Sequence, residues 1–252
     1  MPFLPLLTAA LLASQASAQA STAPLPEICF DLPRAQAQND GATMTAESDP
    51  ARQAEARAAL LKAFARYPAG FLAKNVRTVY VVRTMAEADG AEYGGTPGDD
   101  GASVLITDGD DQSVDAPWTE DVFHHETAHV LLDHNRRAFS KRDWRDAAAP
   151  EFRYAHPRDG GYWAIRDEDS DDTFRPELNA QGLLNSYGAS CLDEDWAVYA
   201  QNVLDPSPEF TDIVRRYPRV AQRAALVEAF YERVVPGWRP SPFGTAIRIE
   251  GR

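Results

Sequence analysis

The sequence predicts an α+β fold, with a small twisted sheet followed by a mostly helical C-terminal half. Two β-branched, apolar segments, 76–84 and 102–108, lie in the first half of the chain. From residue 193 onward, apolar residues recur at helical spacing. The chain has 252 residues, which is long enough for one domain with a substantial buried core.

The first twenty residues have the layout of a secretory signal peptide. They carry no charged side chain, are apolar from Phe3 to Ala13, and end in small residues at 16–20. A Lys or Arg before the apolar run is missing, and the run is shorter than the roughly 20 residues that cross a bilayer. We expect an exported protein, periplasmic or extracellular, without membrane insertion.

The charge of the chain argues against two classes of partner. It contains 38 acidic and 25 basic residues, has a net charge of −13, and has no run of Lys or Arg. Neither a nucleic acid nor an anionic membrane surface is therefore an expected partner. Solubility is a sufficient explanation for the acidity.

Only two cysteines occur, Cys29 and Cys191. In an exported protein a disulfide between them is allowed, and two separate buried thiols are the alternative. We predict the disulfide, which would anchor the N-terminal segment to the turn before residue 194.

The N-terminal part of the mature chain contains a predicted arm and a predicted helix. Residues 21–48 show no sustained period and are expected to form an extended N-terminal arm, with the folded domain at 49–252. Asp49 is placed as an N-cap and Pro50 at the first helical position, followed by apolar residues at helical spacing up to Tyr67.

Two strands and a long helix are predicted after residue 75. Segments 76–84 and 102–108 are bounded by Gly, Asp or Asn and should be strands, joined by a hairpin or a looser connection through "EYGGTPGDDG". A helix should then begin at 117–121 and end around 135–137, where cations suit a helix C-terminus.

The rest of the chain divides into an irregular part and a helical part. Residues 138–185 contain scattered aromatic residues among Gly, Pro and Asp, and should be mostly irregular with short helical pieces. Three helices are predicted after 193, the second of them capped by Ser207 with Pro208 in its first turn. No internal repeat occurs, which predicts one domain.

The stretch "DVFHHETAHVLLDH" at 121–134 contains the candidate metal-binding and catalytic residues. On a helix, His125 and His129 point to the same face and can bind one metal ion. Imidazole nitrogens suit Zn²⁺, and the adjacent Glu126 can serve as the general base for a water molecule. We predict one zinc ion per chain, bound by these two histidines and a third ligand.

The other polar residues of this helix are not expected to bind the same ion. His124 points about 100° away from the ligand face. Asp133 and His134 lie too far along the axis at about 1.5 Å per residue. The extended motif with a third histidine is also excluded, because the chain has Leu132 and Asn135 where that motif has glycine and histidine.

The best candidate for the third ligand is Glu194 in "NSYGASCLDEDWAVYAQNVL", with Tyr187 seven residues before it. These two segments together resemble the gluzincin metallopeptidases, in particular the group similar to the catalytic domain of anthrax lethal factor. The resemblance covers two short stretches and implies a zincin-like fold with the sheet over the active-site helix. It implies that His125, His129 and Glu194 bind zinc, that Glu126 is the general base and that Tyr187 stabilises the oxyanion.

One position departs from the pattern of that group. Its members often carry a second acidic residue four positions after the glutamate ligand, where this chain has Val198. The carboxylate support of a ligand histidine is therefore missing at that position. Asp193 or Asp195 could replace it, or both could simply complement the dipole of their helix.

The acidic run "RDEDSDDTF" raises the question of a calcium site. Asp167, Asp169 and Asp171 alternate as at the start of a calcium loop, but Asp172 replaces the required glycine and no bidentate Glu follows. We expect a solvated, charged loop rather than a Ca²⁺ site.

The leading functional hypothesis is an exported zinc metallopeptidase acting on peptides or proteins, more readily an endopeptidase than an exopeptidase. The strand at 102–108 is expected to hold an extended substrate by strand addition. One alternative is an inactive zincin-fold binding or scaffolding protein of the cell envelope, which Val198 favours and the intact Glu126 and Tyr187 oppose. The other is an envelope protein with a chance motif. Neither substrate specificity nor oligomeric state follows from the sequence.

Overall fold

The computed structural model describes residues 23–108, 116–158, 160–166 and 170–238. The predicted signal peptide at 1–20 lies outside these ranges. The described chain combines helices with a four-stranded and a two-stranded sheet, in agreement with the α+β class. No helix in the described ranges is long and apolar enough to cross a lipid bilayer.

The strands of the described ranges are short. They are β1 Glu27–Cys29, β2 Thr43–Thr45, β3 Thr78–Val82, β4 Thr84–Ala86, β5 Gly95–Pro97 and β6 Ser103–Thr107. The larger sheet has the order β1-β3-β6-β5, with β1, β3 and β6 parallel and β5 antiparallel to β6. β2 and β4 form the smaller antiparallel sheet. Every residue of β3 and β6 is buried, as expected for strands that are covered on both faces.

The helices make up most of the C-terminal half. They are α1 Leu32–Gln36, α2 Pro50–Phe64, α3 Leu72–Asn75, α4 Ala116–His134, α5 Lys141–Asp146, α6 Gly160–Ala164, α7 Pro176–Gln181, α8 Leu192–Leu204, α9 Pro208–Arg216 and α10 Pro218–Val234, with a 3-10 turn at Arg136–Ala138. The predicted caps are confirmed: Asp49 accepts from the Ala51 amide at 2.8 Å, and Ser207 accepts from the Phe210 amide at 3.0 Å.

In the first half of the chain, one expectation is wrong and one of two alternatives is confirmed. Residues 27–45 do not form a separate arm, because β1 pairs with β3 and the Glu27 carboxylate binds Arg34 of α1 at 2.8 Å. Of the two connections left open between segments 76–84 and 102–108, the looser one is confirmed, because β3 and β6 run parallel and do not form a hairpin. The connection between them instead supplies β5, which pairs with β6.

The helix α4 lies at the centre of the fold, between the sheet, α2 and α8. Its Phe123 packs against Phe64 of α2 with ring centroids 5.0 Å apart. On the other side, the indole of Trp196 on α8 donates to the Ala128 carbonyl at 3.4 Å and packs against Phe230 of α10. These aromatic contacts fix the position of α8 relative to α4.

The predicted disulfide is contradicted by the structure, in which Cys29 and Cys191 are free, buried thiols. Cys29 lies on β1 and packs with Tyr80 and Leu105 of the sheet. Cys191 is the N-cap of α8, where its sulfur accepts from the Glu194 amide at 3.5 Å. The two thiols therefore have separate packing roles.

We expect unreduced, denatured protein to contain two alkylatable thiols, and reductant to leave the thermal midpoint unchanged. The reason is that neither sulfur contributes a covalent link to the fold. Mass spectrometry of the alkylated protein measures the thiol count. A linked Cys29–Cys191 peptide pair in an unreduced digest would contradict the structure.

Candidate metal centre

The helix α4 brings His125, Glu126 and His129 to one cleft. The two imidazole rings are 5.0 Å apart between centroids, which is the separation expected for residues one helical turn apart. The packing of α4 against α2 and α8 leaves both histidines largely buried, with side chains 10% and 16% exposed. A group that binds here would therefore be shielded from most of the solvent.

Glu194 reaches the same point from α8. One of its carboxylate oxygens, Oε2, lies 3.0 Å from His125 Nε2 and 3.6 Å from His129 Nε2. One donor atom from each of the three residues lies within 4.8 Å of the others. The structure thus brings together the three residues expected as ligands.

The start of α6 covers Glu194 closely. A Cβ atom at Gly161 would lie 2.5 Å from Glu194 Oε1, and one at Gly160 would lie 2.4 Å from the Cys191 sulfur. Only glycine allows α6 to approach the first turn of α8 at these two positions. Two residues after the end of α6, Arg166 forms a two-point ion pair with Asp89 on the turn after β4, at 2.8 Å for both contacts.

The donor set fits a divalent metal ion. Burial opposes ionisation of Glu194, but His129 and His125 outweigh it and lower the pKa of this carboxyl far below its ordinary value. Burial likewise opposes protonation of His129, and the Glu194 charge raises its pKa. Two imidazoles and a carboxylate with room for a further ligand form a donor set that Zn²⁺ uses in catalytic sites.

Gln201 supports His125 from the side away from the cluster. Its Oε1 atom lies 2.8 Å from His125 Nδ1. Because an amide oxygen can only accept, this contact places a proton on Nδ1 and leaves Nε2 free to bind a metal. Gln201 lies two turns after Glu194 on α8, and it takes the place of the acidic residue that Val198 replaces.

Neither aspartate that was considered as a replacement for that acidic residue takes its place. Asp195 is buried on the other side of α8, where it accepts from Trp144 Nε1 at 2.9 Å and from the Tyr154 hydroxyl at 2.5 Å and pairs with Arg223. Asp193 is exposed in the first turn of α8. Asp195 is therefore a core anchor, and Asp193 complements the helix dipole.

Glu126 and Tyr187 both line the cavity that contains His129 and Glu194. Burial raises the pKa of Glu126 to about 8 against the opposing effect of His125, and the Glu194 charge adds a smaller increase. The Tyr187 ring packs edge-on against His125 with centroids 5.9 Å apart. Burial raises its pKa well above the ordinary value, so the hydroxyl stays a hydrogen-bond donor.

The remaining polar residues lie away from this cluster. His124 is buried in the core, with its Nδ1 atom 3.2 Å from the Tyr67 hydroxyl, and Asp133 pairs with Arg136 on the surface. In the acidic run, Asp171 is bound by Arg175 at 2.7 Å. The other two residues weighed for calcium, Asp167 and Asp169, lie outside the described residues.

The edge strand beside the site is β5, which corrects the expectation for strand addition. Segment 102–108 contains β6, whose two neighbours β3 and β5 already occupy both of its edges. β5 runs along α4 so closely that a Cβ atom at Gly95 would lie 2.7 Å from Glu126 Cγ. Among the described strands, the sheet edge next to the candidate metal centre therefore belongs to β5.

No protein-family model, curated protein or solved structure matches this chain. The likeness to gluzincin metallopeptidases therefore stays a resemblance based on two short motifs. The proposed chemistry of the site is therefore based on the positions of its own side chains.

We expect Gln201→Leu to weaken zinc binding by roughly 10-fold or more, because the His125 N–H loses its acceptor. Gln201→Glu restores an acceptor and should retain wild-type affinity. Competition with a chromogenic chelator measures the affinity. The neighbouring substitution Asn202→Ala serves as the control, and equal zinc affinity in a folded Gln201→Leu protein would show that Gln201 does not position the ligand.

Proposed function

We propose that the chain is an exported zinc metallopeptidase with a zincin-like fold. The observation that carries the proposal is the convergence of His125, His129 and Glu194 in a cleft that also contains Glu126 and Tyr187. The first three residues would hold Zn²⁺, which when bound supplies a Lewis acid for the carbonyl of the substrate. A purely structural metal site would need neither of the other two residues.

The roles of Glu126 and Tyr187 follow from their positions. The positive charge of a bound Zn²⁺ would favour the ionised form of Glu126. That carboxylate can take a proton from the attacking water and deliver it to the departing amine. Tyr187 keeps its proton and can donate a hydrogen bond to the carbonyl oxygen as negative charge develops on it. Both side chains are held by packing, so little reorganisation accompanies the reaction.

The cleft extends on both sides of the proposed centre, which supports endopeptidase activity. A cavity of about 490 Å³ lies on the His129 side, and one of about 330 Å³ lies on the His125 side. The free edge of β5 can pair with the backbone of an extended peptide that passes between them. A chain that continues in both directions from the cleaved bond can therefore be accommodated.

The alternative of an inactive binding or scaffolding protein loses the feature that favoured it. Val198 left a ligand histidine without its usual partner, but Gln201 contacts His125 at 2.8 Å from the same helix. The supported ligand and the buried Glu126 favour turnover. Export itself is proposed from the N-terminal sequence alone.

We expect the purified protein to bind about one zinc ion per chain, as sites of this class do. Substitutions His125→Ala, His129→Ala and Glu194→Ala should each lower occupancy sharply, because a site with two protein ligands is under-coordinated. Elemental analysis after dialysis measures the occupancy. Wild-type occupancy in Glu194→Ala would exclude Glu194 as the third ligand.

We expect Glu126→Gln to keep the zinc and the fold but to lower peptide cleavage by about 10²-fold or more, because the amide cannot accept a proton. Cleavage of a mixed peptide library, with and without chelator, provides the measurement. Glu55→Gln, the same chemical change at an exposed position of α2 away from the cleft, is the matched control. Undiminished cleavage by Glu126→Gln would refute the mechanism, and no cleavage by the zinc-bound wild type would favour the scaffold.

A further inference from the structure

The cavity on the His125 side has a composition that the proposed function does not explain. We call it the His125-side pocket, and its volume is about 330 Å³. His125, Glu126 and Tyr187 form its inner end, so a side chain next to a reacting bond would enter it. Other lining residues come from α4, α8 and the segment after α6, and include Trp118, Val122, Ile165, Val198, Asp171 and Asp172.

Trp118 is a large aromatic residue that is held in place yet remains 40% exposed. A Cβ atom at Gly94 would lie 2.7 Å from its Cζ2 atom, so only glycine lets the indole pack onto the backbone before β5. The ring thus lines the pocket as a fixed surface. An exposed indole face is a favourable site for a cation.

The mouth of the pocket is acidic. Asp172 is exposed and has the less compensated charge, because Asp171, whose pKa Arg175 lowers below its ordinary value, is paired with Arg175 at 2.7 Å. Asp121 adds a further carboxylate to the lining, whereas no Lys or Arg of the described residues belongs to it. An acidic side chain entering the pocket would be repelled.

Glu126 closes the inner end of the pocket. It is 6% exposed, and no hydrogen bond to its carboxylate is found among the described residues. The pocket therefore leads from solvent to the proposed general base.

We propose, on the basis of the peptidase function above, that the His125-side pocket selects substrates with Lys or Arg next to the cleaved bond. The aliphatic stem lies against Val122, Val198 and Ile165. The cationic head lies over Trp118 and beside Asp172, which combines a cation–π contact with ion pairing.

The cavity on the other side of the metal centre does not have this preference. Arg136 and Lys141 line it together with Asp99, Asp133 and Asp193. Arg136 pairs with Asp133, and Lys141 adds a second cation, so these cations partly offset the carboxylates on this side. Selection for a cationic side chain is therefore expected mainly on the His125 side.

Three peptide hydroxamates test the proposal without requiring turnover. They are identical except at the residue next to the metal-binding hydroxamate, which is Lys, norleucine or Glu, and calorimetry measures their binding to the zinc-loaded protein. Norleucine has nearly the same stem as Lys and lacks the charge. We expect the Lys compound to bind roughly tenfold more tightly than norleucine, the scale expected from one cation–π contact and one partly exposed ion pair, and the Glu compound to bind most weakly.

Substitutions in the His125-side pocket test whether this pocket causes the preference for the Lys compound. Asp172→Asn and Trp118→Leu should each lower the Lys-to-norleucine ratio severalfold, and Asp172→Lys should invert the order of the Lys and Glu compounds. Asp133→Asn, on the other side of the metal centre, should leave the ratio unchanged. Equal binding of the Lys and norleucine compounds would overturn the proposal, as would a ratio that Asp172→Lys does not change.

The same experiment separates the pocket from the peptidase function. A Lys preference in binding, together with no cleavage of any library peptide, would support the pocket and refute the peptidase. Cleavage without a Lys or Arg preference at either residue of the cleaved bond would refute the pocket and leave the peptidase intact. If no hydroxamate binds, the metal centre and the pocket proposal both fail.

Discussion

The contact of Glu194 with two histidines of α4 is the interaction on which the rest of the site depends. It brings residues from two parts of the chain, 69 positions apart for His125, to within 3.0 Å. The next residue, Asp195, points to the opposite side of α8 and pairs with the fully buried Arg223. Removing one partner of such a pair leaves a buried charge, which is strongly destabilising. The structure thus fixes the rotation of α8 from its core side and directs Glu194 toward the histidines.

The other site residues depend on this arrangement of α4 and α8. Gln201 can reach His125 because it lies two turns after Glu194 on the same helix. Tyr187 packs on the same histidine from the segment before α8. The proposed chemistry therefore places the ligands and the general base on helices rather than on loops, which favours a fixed geometry. The buried ion pair between Asp195 and Arg223 has a different role, because it anchors α8 in the core.

The sequence predicted those parts whose signal is strong and local. The motif around His125 combines residue type with helical spacing, and caps such as Asp49 depend on neighbouring residues only. β1 and β5 have three residues each, too few for a period, and their pairing depends on contacts distant in sequence. Gln201 was missed because glutamine is common on helices and does not by itself indicate a site residue. Its position two turns after Glu194, on the same helical face, was a usable signal. The disulfide prediction was wrong because the number of cysteines does not indicate how far apart they lie in the fold.

The coordination of zinc in the purified protein tests the central claim most directly. X-ray absorption at the zinc edge reports the type, number and distance of the atoms around the metal. The account predicts two imidazole nitrogens at about 2.0 to 2.1 Å with carboxylate and further light-atom ligands in a four-coordinate site. A sulfur scatterer at about 2.3 Å, or a shell without imidazole, would contradict it.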